Sequence, residues 1–447
     1  MSRRGGWRPG SKLLRAAVVL AAVVVLLPLV GGGALAALGL AAGLAVLGAL
    51  VLVDSRSLVQ VQPRLERPAK IALSLGEAET VSLRLVAPVR QPLGLVLRQR
   101  WPWFLEPPAS RIEARLEPGR ELDLELPVFA RARGEAVLEE PWVALTARGW
   151  LERILPVVSE TPGGSTLAVL PNLKAVARHH AQLDRLFLRG LGHRVSPRVG
   201  KGREFERLRD HVTGDELRDI AWKASARHGK WITREFRLDR SQDILVAIDR
   251  GHRMAARVSG LARVDHAVNA AVLVSSIAHR FEDRVGLVSF ADGVDSGPAQ
   301  GRGGSHLRAI TGFAAGVEAA YRHTDYPALA AHVRHRLRSR TLVLVVTALP
   351  ELGEEGSLLR AAGLLLPTHL PLFVVFSDPA LEATAKIRPA DRSELLRTLV
   401  ARDLWLARRK TLAELRRRGA LVVEALPGDI GVAAVNGYLE VKRRQLL

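Results

Sequence analysis

Cysteine is absent from all 447 residues. That excludes disulfides, thiolate metal centres and cysteine nucleophiles. No Gly-x-x-x-x-Gly-Lys-Ser/Thr loop occurs, so the phosphate cradle of a P-loop enzyme is missing. The 13 histidines are scattered. His179 and His180 are adjacent, but no His-x-x-x-His pair stands with a carboxylate at metal-ligand spacing. The Gly-rich stretch 300–307, "QGRGGSHL", follows no buried strand directly, holds no lysine and reads as a loop. Acidic residues are also in short supply: 45 Asp+Glu face 65 Lys+Arg, a formal net charge of +20.

That charge invites a nucleic-acid reading, but it is spread along the chain. Residues 201–240 hold eleven Lys/Arg against eight Asp/Glu, a net of three. Residues 401–447 hold ten against five. No zinc motif or nucleic-acid fold signature accompanies the charge, and no nucleic-acid partner is expected. A basic protein held at an anionic lipid bilayer suits the same charge.

Charge is missing altogether from residues 16–53. A bilayer core needs about 20 apolar residues in a helix, and two such helices fit, at 13–31 and 34–53. Gly31, Gly32 and Gly33 supply a tight turn between them. Arg3, Arg4, Arg8, Lys12 and Arg15 precede the first helix and the turn carries no charge. The positive-inside rule then places the N-terminus, and everything after residue 54, in the cytoplasm. The expectation is a multi-pass protein of a bacterial inner membrane. A cleaved signal peptide with "ALA" at 34–36 is the competing reading, and the second full apolar span argues against it. Gly39 and Gly43 form a Gly-x-x-x-Gly in the second span.

From 58 to 158 the texture changes to short alternating runs bounded by Gly and Pro, such as "AETVSLRLVAP" and "RELDLELPVFA". Period-2 patterning marks half-buried antiparallel strands, and about seven of them indicate a small β-sandwich. Histidine is absent here, and nothing else carries chemistry. Residues 160–174 read as a linker. The last 200 residues then alternate strand and helix. Strand-like runs at 243–249, 285–293, 341–350, 370–378 and 420–427 are separated by helical periods at 263–284, 326–340, 356–369 and 392–419, with a closing helix at 431–445. That order gives an α/β, doubly wound, mostly parallel sheet. Ligands of such folds sit at the carboxyl ends of the strands, where Asp249 stands.

Between sandwich and sheet lies "GDELRDIAWKASARHGKWITREF", residues 214–236. Helical spacing sets Leu217, Ile220 and Ala224 on one side and Arg218, Trp222 and Ser225 on another. Thr213 and Asp215 suit a helix start. Arg, Lys and Asp together suit a phosphate clamp, yet no glycine-rich loop and no His–Ser–Asp set accompanies them. A surface tryptophan beside arginine is the composition of a binding hot spot. The candidate partner-binding residues are therefore Asp215, Arg218, Trp222, Lys223, Ser225 and Arg227, and no catalytic residue is assigned.

Gly202, Glu204, Phe205, Leu208 and Arg209, followed by Gly214, Asp215, Arg218, Ile220, Trp222, Lys223, Ser225, Ala226 and Arg227, resemble the signature of the domain of unknown function 58 (DUF 58) family. "LAVLPNLKAV" at 167–176 resembles the segment that leads into that signature. The resemblance implies four regions: a membrane anchor over 1–54, a β-sandwich over 55–160, the signature segment over 161–240, and a von Willebrand factor type A (VWA)-like domain over 241–447. It also implies action beside a MoxR-like AAA+ ATPase, in assembly or maturation of protein complexes. A VWA domain binds a divalent cation through Asp-x-Ser-x-Ser, a threonine and a further aspartate. Here Asp249 is kept, but Gly251 and Arg253 stand at the serine positions. Thr347 is present, and no Asp precedes Glu351. A bound cation, Mg²⁺ included, is not expected at this degenerate site, and no other cofactor is. The overall expectation is a membrane-anchored, non-enzymatic adaptor. Its rivals are a metal-dependent binding module for an extracellular or envelope ligand, and an uncharacterised hydrolase.

Overall fold

A computed structural model describes all residues except 1–4, 27–32, 107–110, 160–163, 172–203, 213–218, 238–240, 259 and 350–352. The chain divides into two compact units, Met1–Leu170 and Pro171–Leu447.

The first unit opens with a strand, Gly6–Pro9, then helices Ser11–Leu26 and Gly33–Val59. Residues 27–31, the expected end of the first span, and the expected turn at Gly31–Gly32 lie outside the described residues. Among those described, one helical stretch, Ala37–Val59, is long and apolar enough to cross a bilayer, with a mean hydropathy of 2.2. A Cβ on Gly43 would lie 3.9 Å from Leu20 of the first helix. The second helix was expected to end at 53 but runs on to Val59. The reason is Asp54. Its buried carboxylate accepts the backbone N–H groups of Arg148, Trp150 and Leu151 at 2.9–3.0 Å. Arg153 donates to the carbonyls of Leu58, Val59 and Val61 at 2.6, 2.8 and 3.0 Å, closing the helix end. The Gly6–Pro9 strand pairs with Leu151–Pro156, so both ends of the apolar region are tied to the same hairpin. Asp54→Ala should strand three backbone donors and lower stability by about 2 kcal/mol, read as an earlier thermal transition in detergent. An unchanged transition would mean that water replaces the carboxylate.

Between Arg64 and Ser159 eleven described strands replace the seven expected. Pro68 cannot donate to a ladder. It separates Arg64–Glu66 from Lys70–Ser74, which join different sheets. Alternation holds within strands: in Ala78–Val86, residues Val81, Leu83 and Leu85 are buried between exposed neighbours. The expected linker at 160–174 is a strand in part. Ser165–Leu170 pairs parallel with Lys70–Ser74 and antiparallel with Gly134–Leu138.

In the second unit, Glu204–Asp210 and Ile232–Arg237 form an antiparallel ribbon. A six-stranded sheet follows, in the order Val294–Ser296, Arg284–Phe290, Asp243–Asp249, Leu342–Thr347, Leu370–Phe376, Leu421–Ala425. All pairings are parallel except that of the Val294–Ser296 edge. The central strands are unbroken apolar runs because both faces are covered. Val246, Leu344 and Val374 pack with helices Arg263–Arg280 and Ile430–Arg444. Ala247, Val345 and Phe373 pack with Tyr326–Arg336, Glu355–Leu365 and Arg392–Arg417. The unit is mixed α/β. The stretch expected as a loop at 300–307 enters a helix at Gly304, which runs to Ala315.

Candidate functional site

The carboxyl end of the parallel sheet gathers its chemistry around Asp249. The strand order places Asp243–Asp249 in the middle, with chains leaving it to both sides, and this is where an α/β sheet opens a crevice. Asp249 is 1 % exposed. Its Oδ1 accepts Gly251 N–H and the Thr324 hydroxyl, both at 2.8 Å, and its Oδ2 accepts the Thr347 hydroxyl at 2.6 Å. The Tyr326 hydroxyl lies 2.7 Å from Thr347 Oγ1 and donates to the Ala348 carbonyl. Burial pushes the Asp249 carboxyl above its ordinary pKa, while the bonds from Thr347, Gly251 and Thr324 and the charge of Arg253 pull it back. Burial and the Asp249 charge push the Tyr326 phenol well up.

Gly251 is explained by contact. A Cβ there would sit 2.1 Å from Thr324 Oγ1, so glycine at this position is what lets Thr324 reach the carboxylate. The reach is fixed by backbone bonds from Ala320 to Arg250 and from His252 to Arg322. Sequence reasoning had noted Asp249 and Thr347 but not Thr324 or Tyr326. Those two sit at the start of a helix with no spacing relation to Asp249, and no local pattern marks them.

A divalent cation wants about six or more oxygen ligands with lone pairs turned toward it. Both Asp249 oxygens are taken by donors, and the Arg253 guanidinium acts on the same carboxylate. Among the described residues no group of three or more His, Asp or Glu side chains converges. In this arrangement these residues hold the Asp249 carboxylate with hydrogen-bond donors. They form a polar clamp that ties three loops to one strand end.

The signature segment lies elsewhere in this unit. Asp215 and Arg218, with the expected helix start at Thr213, fall outside the described residues. The described helix of this segment runs from Trp222 to His228 and does not include Ile220. Ile220 is held in a β-bridge to Thr233, and Ala221 N–H donates to the Ile232 carbonyl, because this backbone pairs with the ribbon instead. Ser225 spends its hydroxyl internally: Ile232 N–H donates to it at 2.9 Å. Lys223 and Arg227 are exposed. Trp222 is 62 % exposed, and Trp231 is 56 % exposed with its ring tilted against His211 at 5.4 Å. Leu208 and Val212 are exposed on the same small module.

Three comparisons bear on the chain. No curated protein matches it. Among solved structures it is similar to the conserved hypothetical protein BatB from Bacteroides thetaiotaomicron, at 14% identity and a TM-score of 0.34, over 45% of this chain and 100% of that one. It is similar to an aerotolerance-related membrane protein from Bacteroides fragilis NCTC 9343 carrying multiple mutations to serines, at 13% and 0.30, over 45% and 100%. A third is the ASH/PapD-like domain of human CEP192, at 12% and 0.18, over 25% and 86%. Scores this low carry no inference about activity. The third comparison is with family models. The one described as "Protein of unknown function DUF58" matches residues 207–365, a span that starts in the ribbon, takes in Trp222 to Arg227 and runs past Asp249 and Thr347.

Proposed function

We propose that this protein is a membrane-anchored, non-enzymatic adaptor that docks a partner through the module carrying Trp222. The partner is an AAA+ ATPase of the MoxR-like kind, as the family resemblance implies, and the setting is assembly or maturation of protein complexes. The observation that carries the docking reading is the exposure of Trp222 and Trp231 beside Lys223 and Arg227. Large aromatics with cationic neighbours are what hot spots are made of. The same reading takes the six-stranded sheet as VWA-like, with the clamp at Asp249 in place of a metal.

The anchor is read as a transmembrane hairpin, with the rest of the chain in the cytoplasm and the bilayer as its second partner. Its support is geometric. The strand before the first apolar helix and the end of the second both bind the hairpin at 148–156. A chain that leaves and returns to one point crosses a bilayer an even number of times.

The test is affinity capture of the membrane-extracted protein with a purified MoxR-like ATPase, with and without nucleotide. Trp222→Ala, alone or with Arg218→Ala, should leave the thermal transition unchanged, since the ring is mostly in water. Capture should weaken about thirtyfold, the equivalent of a 2 kcal/mol hot spot. Equal capture by wild type and variant would remove the docking surface, and no capture by wild type would remove the adaptor reading. Turnover that scaled with protein and vanished in Asp215→Ala would replace it with an enzyme.

A further inference from the structure

The helix Arg392–Arg417 is longer than the sheet it covers. Its 26 residues span about 39 Å, against about 23 Å for the seven-residue strand Leu370–Phe376. Its last turns join the core of the sheet through Leu412 and Leu415. No residue from Arg392 to Lys410 belongs to the core on either sheet face. Arg408 reaches back to the carbonyl of Phe376, the last residue of its strand. Most of the helix upstream of Arg408 therefore projects past the carboxyl end of the sheet.

The short helix Pro379–Lys386 packs against this helix. Small side chains are buried there: Ala385 on the short helix, Thr398 and Ala401 on the long one. The other side is bare. At 3.6 residues per turn, Leu395, Leu396, Leu399 and Val400 share one arc about 140° wide, turned away from Thr398 and Ala401. All four are 42–59 % exposed. Ile387, in the connection between the two helices, is exposed beside them in sequence.

Cations ring this aliphatic patch. Arg397 and Arg402 flank the arc, Arg392 lies one turn before Leu396, and Arg388 sits in the connection; all four are exposed. Across 379–410, eight Lys/Arg stand against four Asp/Glu. Three of those acids are spent locally. Glu382 holds Lys386 at 2.6 Å, and Asp391 and Glu394 accept backbone N–H groups at the helix start. Asp403 follows in line with the patch, one turn beyond Leu399.

Composition selects the occupant. Protein hot spots favour Trp, Tyr and Arg, while Leu and Val are under-represented in them. This patch has no aromatic, and nearby Trp405 is covered by the Arg409 guanidinium at 4.8 Å. Aliphatic side chains bordered by arginine suit a helix lying in a lipid interface, where long stems carry the charges to lipid phosphates. The chain also holds Ala37–Val59, long and apolar enough to cross a bilayer. We propose that the projecting end of Arg392–Arg417 docks on an anionic lipid surface, its four aliphatic residues entering the boundary between headgroups and acyl chains. The proposal rests on the membrane-anchor reading, which keeps a bilayer at hand, and is independent of the Trp222 module.

The experiment uses the full chain, whose lack of cysteine makes one introduced thiol unique. Leu396→Cys carries a polarity-sensitive dye, and the protein is placed in nanodiscs of phosphatidylcholine, alone or mixed with phosphatidylglycerol. Arg338→Cys, exposed in the connection before Leu342–Thr347, is the control at the other end of the sheet. In the anionic discs the label at 396 should shift to the blue and resist acrylamide quenching, and the label at 338 should not. Sodium chloride should reverse the shift. Arg392→Gln and Arg397→Gln, both at exposed positions, should each lower the docked-to-free ratio about fivefold. A chain that does not co-elute with the discs removes the anchor and this site together. A co-eluting chain whose label at 396 is as open to quencher in anionic discs as in neutral ones removes this site alone. Protection that instead grows with protein concentration and ignores lipid charge gives the patch to a second copy of the chain and overturns the proposal.

Discussion

Asp283→Ala is expected to destabilise the Pro171–Leu447 unit by about 3–5 kcal/mol, the loss typical when one partner of a buried ion pair is removed. Asp283 is 1 % exposed and directly precedes the Arg284–Phe290 strand. It accepts Gln242 N–H at 2.8 Å, the Tyr438 hydroxyl at 2.5 Å and Lys442 Nζ at 2.7 and 2.8 Å. Lys442 also lies 4.9 Å over the Phe281 ring. One carboxylate thus fixes the closing helix Ile430–Arg444 to the amino-terminal edge of the sheet. Without it, a largely enclosed ammonium and a buried phenol lose their acceptor. Burial and the Asp283 charge hold the Tyr438 phenol far above its ordinary pKa, so it stays a donor at every working pH. The check is urea unfolding of the wild type, Asp283→Ala, Lys442→Met and the double variant. The double variant should recover part of the loss, because it removes the orphaned charge. A single-variant loss under about 1 kcal/mol would show that water reaches Lys442 and repays the pair.

The second large effect lies at the opposite edge. Asp249→Ala should cost about 3 kcal/mol, since it leaves Thr347, Thr324 and Gly251 without a shared acceptor in a buried place. Asp249→Asn separates charge from shape through pH. The folded carboxyl has a pKa raised above that of the unfolded chain. Its contribution to stability is fully present below the unfolded value of about 3.9 and is lost as pH rises through the folded value. The wild-type advantage over Asp249→Asn should therefore be greatest in acid and shrink as pH climbs. Unfolding both proteins across about pH 4 to 8 gives the difference directly. A difference that grew with pH would mean that the hydroxyl bonds outweigh burial and depress the carboxyl instead.

These two aspartates show how unevenly the sequence speaks. Asp249 ends a run of apolar residues, "ILVAID", and was marked at once as the end of a buried strand. Its partners Thr324 and Thr347 are 75 and 98 residues away. Thr347 was noticed through a family resemblance, and Thr324 through nothing local. Asp283 sits in "FEDRVG", where an acid beside an arginine reads as surface, and it answers a lysine 159 residues on. Asp54 looked like the first charge after an apolar span, and is instead the acceptor that ties that span to a hairpin some 95 residues later.

Elements were legible where one physical pressure dominates a continuous stretch. The strands Asp243–Asp249, Leu342–Thr347 and Leu370–Phe376 are buried on both faces, so the positions between their ends are apolar. The helix Arg392–Arg417 keeps its period through 26 residues, and Gly33–Val59 carries no charge before Asp54. Ser165–Leu170 failed as a strand because Gly and Pro flank it, and its partners lie some 30 and 95 residues back. Trp222 was conspicuous by composition, while its exposure follows from the pairing of Ile220 with Thr233, which holds the backbone before the helix against the ribbon.

By itself, then, the sequence determined the apolar N-terminal helix, the mixed α/β unit and the family likeness of the region at 207–365, because these depend on periodicity and on residues close together in the chain. The tertiary structure alone decided that Gly251 makes room for Thr324, that the front of Arg392–Arg417 projects past the sheet, and that the carboxylate of Asp249 is already occupied. Those are matters of distance between side chains far apart in sequence, and no local pattern encodes a distance that the fold has yet to create.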